Sequence, residues 1–182
     1  MLEWRYKDLK QWINNGCDQN IAKKVNKLFI SFNKLVLIPK EIFYLTQLQE
    51  FDCSENKIEI IPKEIGNLLQ LEIFQCGNNK IKEIPKEIGN LTKLKSFGCC
   101  KNQITKIPKK IGNLTQLQFL SFQKNEINKI PKEIYHLVKL QEFWCNGNEI
   151  KKIPKEIGNL LQLEVIMCEH NKFNKIYLWF YS

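Results

Sequence analysis

Apolar residues recur along this chain at a fixed long step. One unit reads Leu45-x-x-Leu48-x-x-Phe51-x-Cys53-x-x-Asn56-x-Ile58-x-x-Ile61-Pro62-x-x-Ile65, and the pattern returns every 23 residues. All six prolines keep the step (Pro39, Pro62, Pro85, Pro108, Pro131, Pro154), as do seven asparagines (Asn33, Asn56, Asn79, Asn102, Asn125, Asn148, Asn171). Within a unit, Phe51 and Cys53 alternate with Glu50, Asp52 and Ser54, which predicts a short strand with one face buried and one in solvent. Each unit supplies one strand, so residues 25–176 are expected to form about seven strands stacked in parallel at ~4.8 Å. Pro62-Lys63-Glu64-Ile65 fits a first helical turn with proline at N1, and Gly66-Asn67 ends it. One or two turns of 3₁₀ or α character are therefore expected opposite the strand, with Ile61, Ile65, Leu68 and Leu71 facing inward. That side carries more chain for the same rise, so the stack curves with its sheet on the concave face. The asparagine follows the strand, where peptide groups leave the ladder and need partners. Its carboxamide offers both donors and an acceptor.

The ends of such a stack expose core unless something covers them. Residues 1–24 are read as an N-terminal helical cap, because Leu2, Tyr6, Leu9, Trp12 and Ile13 have helical spacing and Asn14-Asn15-Gly16 stops the pattern. Residues 177–182, Tyr177-Leu178-Trp179-Phe180-Tyr181-Ser182, are too aromatic for a solvent-facing edge. They are expected to fold back as a C-terminal aromatic cap. The alternatives are a homodimer contact through Trp179 and Phe180 and the cut end of a longer array. The whole is expected to be a single structural domain.

The unit resembles the leucine-rich repeat family, whose L-x-x-L-x-L-x-x-N/C-x-L segment matches residues 48–58 and their copies at 71–81, 94–104, 117–127, 140–150 and 163–173. A degenerate first copy, Val25-x-x-Leu28-x-Ile30-x-x-Asn33-x-Leu35, extends the match to residues 25–176. The Ile-Pro-Lys-Glu-Ile-Gly-Asn-Leu phrasing is similar to a short-repeat bacterial subgroup typified by exported leptospiral proteins. The resemblance implies an α/β fold: a horseshoe-shaped solenoid with a parallel sheet on the concave face, short 3₁₀ or α turns on the convex side and an N-terminal capping helix. It also implies a protein-binding module, with a secreted virulence role at a host surface as the more specific expectation. Two departures stand out. Phe51, Phe74, Phe97 and Phe143 hold a position usually given to leucine, and cysteine fills the next core position.

Seven cysteines raise the question of disulfides or metal, but Cys53, Cys76, Cys99, Cys145 and Cys168 share one inward position, where a free thiol behaves as a small hydrophobe. There is no C-x-x-C pair and no histidine at ligand spacing from a cysteine, so no metal and no cofactor are expected. Cys100 should point into the concave face, as a surface thiol or simply a tolerated small residue. Neither His136 nor His170 has a nucleophile and an orienting acid in implied proximity. Glu50 and Asp52 lie two apart on one face, but that face is open and shallow, with nothing evident to exclude water. No phosphate-cradling glycine loop is present. The chain is therefore expected not to be an enzyme and to have no small-molecule substrate.

In 182 residues, 28 basic side chains stand against 19 acidic ones, a net charge of +9. Placed by repeat position, the concave face holds Lys27, Lys101 and Lys124 against Glu50, Asp52, Glu55, Glu142 and Glu169, so the positive excess lies elsewhere. The only arginine, Arg5, is in the cap, whereas bidentate phosphate and base recognition favours arginine. A lysine-rich surface binding nucleic acid or anionic lipid is thus the competing expectation, not the leading one. No apolar run approaches the roughly 18 residues of a membrane span, and Met1-Leu2-Glu3-Trp4-Arg5-Tyr6-Lys7 lacks signal-peptide grammar. With its thiols unpaired, the chain is expected in the cytoplasm or exported without a cleaved signal peptide.

The leading expectation comes from concave positions that a bland sheet would make polar. Phe119, Trp144, Val165 and Met167 occupy them, with Ile73 further along and Phe29 near the start. Register puts Trp144 beside Met167 and diagonal to Phe119, with Glu142, Asn146, Glu169 and Gln123 as a polar rim. An aromatic cluster with such a rim has the anatomy of a protein-binding hot spot.

Overall fold

The structure, a computed structural model, describes residues 2–173. A strand of three or so residues cannot bury its apolar face alone, and the constant step supplies an identical neighbour on either side. The result is one parallel sheet in chain order: β1 (Leu2–Arg5), β2 (Val25–Phe29), β3 (Glu50–Asp52), β4 (Ile73–Gln75), β5 (Ser96–Gly98), β6 (Phe119–Ser121), β7 (Glu142–Trp144) and β8 (Val165–Met167). From β2 onward the register advances by the repeat length, so equivalent residues stack into columns.

The inward columns are dry. Phe51, Phe74 and Phe97 stack nearly parallel with ring centroids 5.5 and 5.6 Å apart. At β6 leucine enters this column as Leu120 and the aromatic ring moves to the cysteine column as Phe122, which meets Phe97 edge-on at 5.9 Å. Cys53, Cys76, Cys99 and Cys145 are buried as free thiols, and Ile61, Ile65, Leu68 and Leu71 face inward as their spacing requires. Removing one ring from the middle of this stack would cost about 3–5 kcal/mol.

Opposite the sheet lie six 3₁₀ turns, Lys40–Tyr44, Lys63–Asn67, Lys86–Asn90, Lys109–Asn113, Lys132–His136 and Lys155–Asn159. Each proline sits one residue outside its turn and not at N1. Pro62 is extended, with ψ 147°, and its carbonyl accepts from the Ile65 N–H at 3.0 Å, closing the i→i+3 bond of a 3₁₀ turn. Neighbouring turns approach so closely that a Cβ on Gly112 would lie 2.6 Å from the Glu133 carbonyl oxygen.

The recurring asparagines bind coil to coil. Asn79 Nδ2 donates to the carbonyls of Cys76 (3.1 Å) and Gly77 (3.2 Å) in its own coil and Cys53 (3.1 Å) in the previous one, while its Oδ1 accepts from Ile58 N at 2.9 Å. Asn102, Asn125, Asn148 and Asn171 repeat the arrangement. Asn33, with no such coil before it, is exposed and reaches only Ser31 O. The residue before each asparagine turns the chain with a left-handed φ: Phe32 (61°), Glu55 (55°), Asn78 (52°), Lys101 (51°), Lys124 (52°), Gly147 (68°) and His170 (53°). Glycine, which adopts this conformation without strain, is used once.

The N-terminal helix is present but shorter than residues 2–13 suggest, because Leu2–Arg5 forms β1 instead. The unpaired backbone edge of β2 offers a row of hydrogen bonds that an extended segment satisfies. Trp4 turns inward against Trp12 at 5.5 Å, whereas Leu2 faces solvent. α1 (Tyr6–Asn14) follows, the Arg5 N–H donating to Asp8 Oδ2 at 2.8 Å, and buries Leu9 and Trp12 over the first coil. A short α2 (Gln19–Ala22), capped by Asp18, leads into β2. The aromatic segment 177–182, with Trp179 and Phe180, lies outside the described residues. Among the described residues no helix is long and apolar enough to cross a membrane.

Candidate functional site

The outward face of the sheet carries two side-chain rows fixed by strand register. The first runs Lys27, Glu50, Ile73, Ser96, Phe119, Glu142, Val165, and the second Phe29, Asp52, Gln75, Gly98, Ser121, Trp144, Met167. The short β5 and β6 hold the smallest outward residues, Ser96, Gly98 and Ser121, and the largest stand at their C-terminal side.

There large side chains bridge the two rows, Phe119 from the first and Trp144 from the second. Phe119 and Trp144 meet edge-to-face, centroids 5.2 Å apart at 75°, the favoured geometry for two aromatic quadrupoles. Trp144 lies directly beside Met167 and opposite Ser121, which is buried, and Glu142 lies between Phe119 and Val165. Met167 remains 39% exposed. Asn146 and Glu169 continue past the strand ends as a polar rim, tied by Lys124 N to Asn146 O (2.9 Å) and Gly147 N to Glu169 O (2.9 Å). Seven of the eight expected residues therefore form one patch. Ile73 does not join it: Ser96 separates it from Phe119, about 10 Å away across two strand spacings. Phe29 is more remote, under the Arg5 guanidinium at 5.1 Å.

Two features of the patch were hidden from sequence reasoning. One is its floor of small residues, where Gln75 lies across Gly98 and donates through Nε2 to Ser96 Oγ at 3.1 Å, so the aromatic pair stands above a shallow step. Serine and glycine at alternate outward positions were the available signal. The other is a pair of orphaned polar atoms. The Trp144 indole Nε1 and Asn146 Oδ1 are out of solvent contact, and neither finds a hydrogen-bond partner. Such groups cost about 1–3 kcal/mol each when left unmade, and nothing in sequence marks them.

The acidic residues of this face show no catalytic constellation. Glu50 is bridged to Lys27 at 2.8 Å, and that hydrogen bond and charge hold the Lys27 ammonium pKa above its ordinary value. Asp52 accepts from Ser54 N at 2.8 Å, closing its own turn. Cys100 is half-buried, and that burial raises its thiol pKa, which disfavours the reactive thiolate. His136 packs on Tyr135 on the convex side, centroids 4.2 Å apart, and His170 occupies a left-handed turn. Among the described residues no three of His, Cys, Asp and Glu are grouped to hold a metal.

Comparison with known proteins agrees with these coils. The family described as leucine-rich repeat region matches residues 86–175, and the leucine rich repeat family matches residues 47–68. No curated protein matches the chain. Among solved structures, a leucine-rich-repeat protein of Leptospira interrogans is 29% identical with a TM-score of 0.76, covering 94% of this chain and 48% of its own. This chain thus spans about half the length of that relative. The leucine-rich-repeat ectodomain of the plant membrane receptor kinase GASSHO1/SCHENGEN3 from Arabidopsis thaliana, solved in complex with Casparian strip integrity factor 2, is 26% identical with a TM-score of 0.67, covering 84% of this chain and 22% of its own. An internalin from Listeria monocytogenes, 24% identical with a TM-score of 0.66 over 87% of this chain and 52% of its own, shares the fold.

Proposed function

We propose that this chain, which is a leucine-rich-repeat protein, is a non-enzymatic module that binds a protein partner on its concave face around Trp144. Leucine-rich-repeat folds commonly serve as protein-interaction modules, and the Arabidopsis ectodomain was solved with a bound factor. The observation that carries the reading here is the Phe119–Trp144 pair, packed edge-to-face toward the C-terminal end of an open sheet face and continued by Met167 and Val165. Large amphipathic rings on a rigid strand lose little conformational freedom on binding, and hydrogen-bonded coils hold them in place beforehand. The repeat phrasing, similar to that of exported leptospiral proteins, implies a partner at a host surface.

The test compares intact protein with a Trp144→Ala, Phe119→Ala double variant in pull-downs washed at low and high salt. Circular dichroism serves as the folding control. A partner kept at high salt by the intact protein and lost by the variant supports the concave site. If everything bound elutes with salt and the variant behaves like the parent, the concave site is refuted and the lysine-rich surface is the working face.

A further inference from the structure

Between each asparagine and the next proline the chain runs along one flank of the solenoid, and that flank carries a charge order the concave reading does not use. Its coils are held in register by backbone bonds, Lys57 N to Leu35 O (2.7 Å), Lys80 N to Ile58 O, Gln103 N to Ile81 O, Glu126 N to Ile104 O and Glu149 N to Ile127 O (each 2.9 Å). Side chains on this flank therefore form columns one coil apart, about 4.8 Å. One exposed column reads Lys34, Lys57, Lys80, Gln103, Glu126, Glu149, Lys172, and at its end Lys172 Nζ bridges Glu149 Oε1 at 2.7 Å. A second reads Leu37, Ile60, Glu83, Lys106, Lys129, Lys152, where Leu37 and Ile60 are 66% and 71% exposed. Over the first six coils each column changes character midway, between the third and fourth.

We propose that this flank is a self-complementary surface on which a second copy of the chain docks antiparallel. A twofold axis running radially between the third and fourth coils lays one arc on another with columns coincident and directions reversed. It sets Lys57 against Glu126, Lys80 against Gln103 and Glu83 against Lys106, each twice by symmetry, and brings Lys34 to the Glu149–Lys172 pair. Leu37 and Ile60 then receive the aliphatic stems of Lys152 and Lys129. The column between them pairs Val36 with Lys151, Glu59 with Asn128 and Lys82 with Thr105, so no two like charges face each other on this flank.

A shift by one coil sets Lys80 on Lys80 in one direction and Lys106 on Lys106 in the other, whereas parallel docking about an axis along the arc sets the first column on the second and Lys57 on Ile60, a register that the charge swap below would not restore. The next column toward the convex side (Lys40, Lys63, Lys86, Lys109, Lys132, Lys155) is uniformly basic and bounds the interface. The footprint, roughly 30 by 10 Å, is well below the ~800 Å² per partner of a standard interface, so the dimer is weak and salt-sensitive. Both concave faces stay open toward the same side, presenting two Trp144 clusters together.

Sedimentation velocity on the full chain, from about 10 µM to about 1 mM at about 50 mM and about 500 mM salt, tests this. A concentration-dependent dimer that weakens with salt is expected. Lys57→Glu or Glu126→Lys alone turns two attractions into repulsions and should raise the dissociation constant at least about tenfold. The Lys57→Glu, Glu126→Lys swap should return it to within about threefold of the parent. A chain monomeric throughout overturns the proposal, as does a swap that fails to restore association. So does a dimer indifferent to the flank variants but abolished by Trp179→Ala, Phe180→Ala, which would assign self-association to the C-terminal segment. None of these outcomes bears on capture of a partner by Trp144, which is read separately.

Discussion

Replacing Asn125 by alanine removes a bracket between three segments of backbone. Its Nδ2 donates to the carbonyls of Cys99 (3.0 Å), Phe122 (3.0 Å) and Gln123 (3.2 Å), and its Oδ1 accepts from Ile104 N at 3.0 Å. The site is buried, so water cannot take over all of these bonds. The three carbonyls keep other donors, Asn102 Nδ2 on Cys99, Asn148 Nδ2 on Phe122 and Lys101 N on Gln123, but the Ile104 N–H is left without a partner, at about 1–3 kcal/mol. Asn33→Ala is the internal comparison: this exposed side chain donates to Ser31 O at 2.7 Å, a bond solvent replaces, and its loss should cost under about 0.5 kcal/mol. With a urea slope of about 2 kcal/mol/M, the Asn125 variant should lose about 0.5–1.5 M in its unfolding midpoint by far-ultraviolet circular dichroism, against less than about 0.3 M for Asn33. Equal shifts for the two variants, at unchanged slope, would refute the asparagine ladder as what joins the coils.

Lys101 and Lys124 hold left-handed φ values of 51° and 52° where Gly147 holds 68°, so Lys101→Gly and Lys124→Gly should each stabilise by up to about 1 kcal/mol and Gly147→Ala should destabilise comparably; denaturant midpoints moving the other way would remove strain from the account. Burial raises the thiol pKa values of Cys53, Cys76, Cys99 and Cys145, so the fold keeps them neutral while the unfolded chain ionises them above about pH 8.5. That stability is fully present below about pH 8.5 and is lost as pH rises beyond it, by about 1.4 kcal/mol per thiol per pH unit, so urea midpoints flat from pH 6 to about 8 should fall steeply above about 9. A midpoint unchanged to about pH 10 would contradict the burial of these thiols. Trp144→Phe deletes an N–H that has no partner, so it should leave thermal stability unchanged or raise it by about 1 kcal/mol while weakening partner capture; a clear loss of stability would mean that the indole nitrogen is satisfied in solution.

What the sequence made legible follows from how far each feature repeats. The proline and asparagine columns announce the coil, its inward residues and its 3₁₀ turns, because each recurs at one spacing for one local reason. The Phe119–Trp144 contact was equally readable, since strand parity and register fix diagonal neighbours once the period is known. β1 was not. Leu2, Tyr6 and Leu9 satisfy a helical period on paper, and only the open edge of β2 selects the extended form for the first four described residues. The left-handed turn before each asparagine was also hidden, because Phe32, Glu55, Asn78, Lys101, Lys124, Gly147 and His170 share a conformation but no chemistry. Neither the orphaned Trp144 N–H nor the Gln75 side chain across Gly98 has a sequence signal, as both depend on which rotamer fits between strands.

A frame this uniform separates what the fold reads from what a partner reads. The inward columns place nearly the same residue in every coil, so the core cannot distinguish one coil from the next, and anything specific must be written in columns that vary. Only a few do so in an ordered way. The outward rows pass from Ser96 and Gly98 to Phe119, Trp144 and Met167, and the flank passes from Lys34, Lys57 and Lys80 to Glu126 and Glu149. These residues stand on backbone already fixed by the sheet and the asparagine ladder, and each coil leans chiefly on its two neighbours. Changes there should alter binding or association with little effect on the unfolding midpoint, whereas changes at Asn125 or Phe74 should do the reverse. A variant at Trp144 or Lys57 that shifted both in equal measure would show that surface and frame are coupled, and the division of labour between the columns would fail.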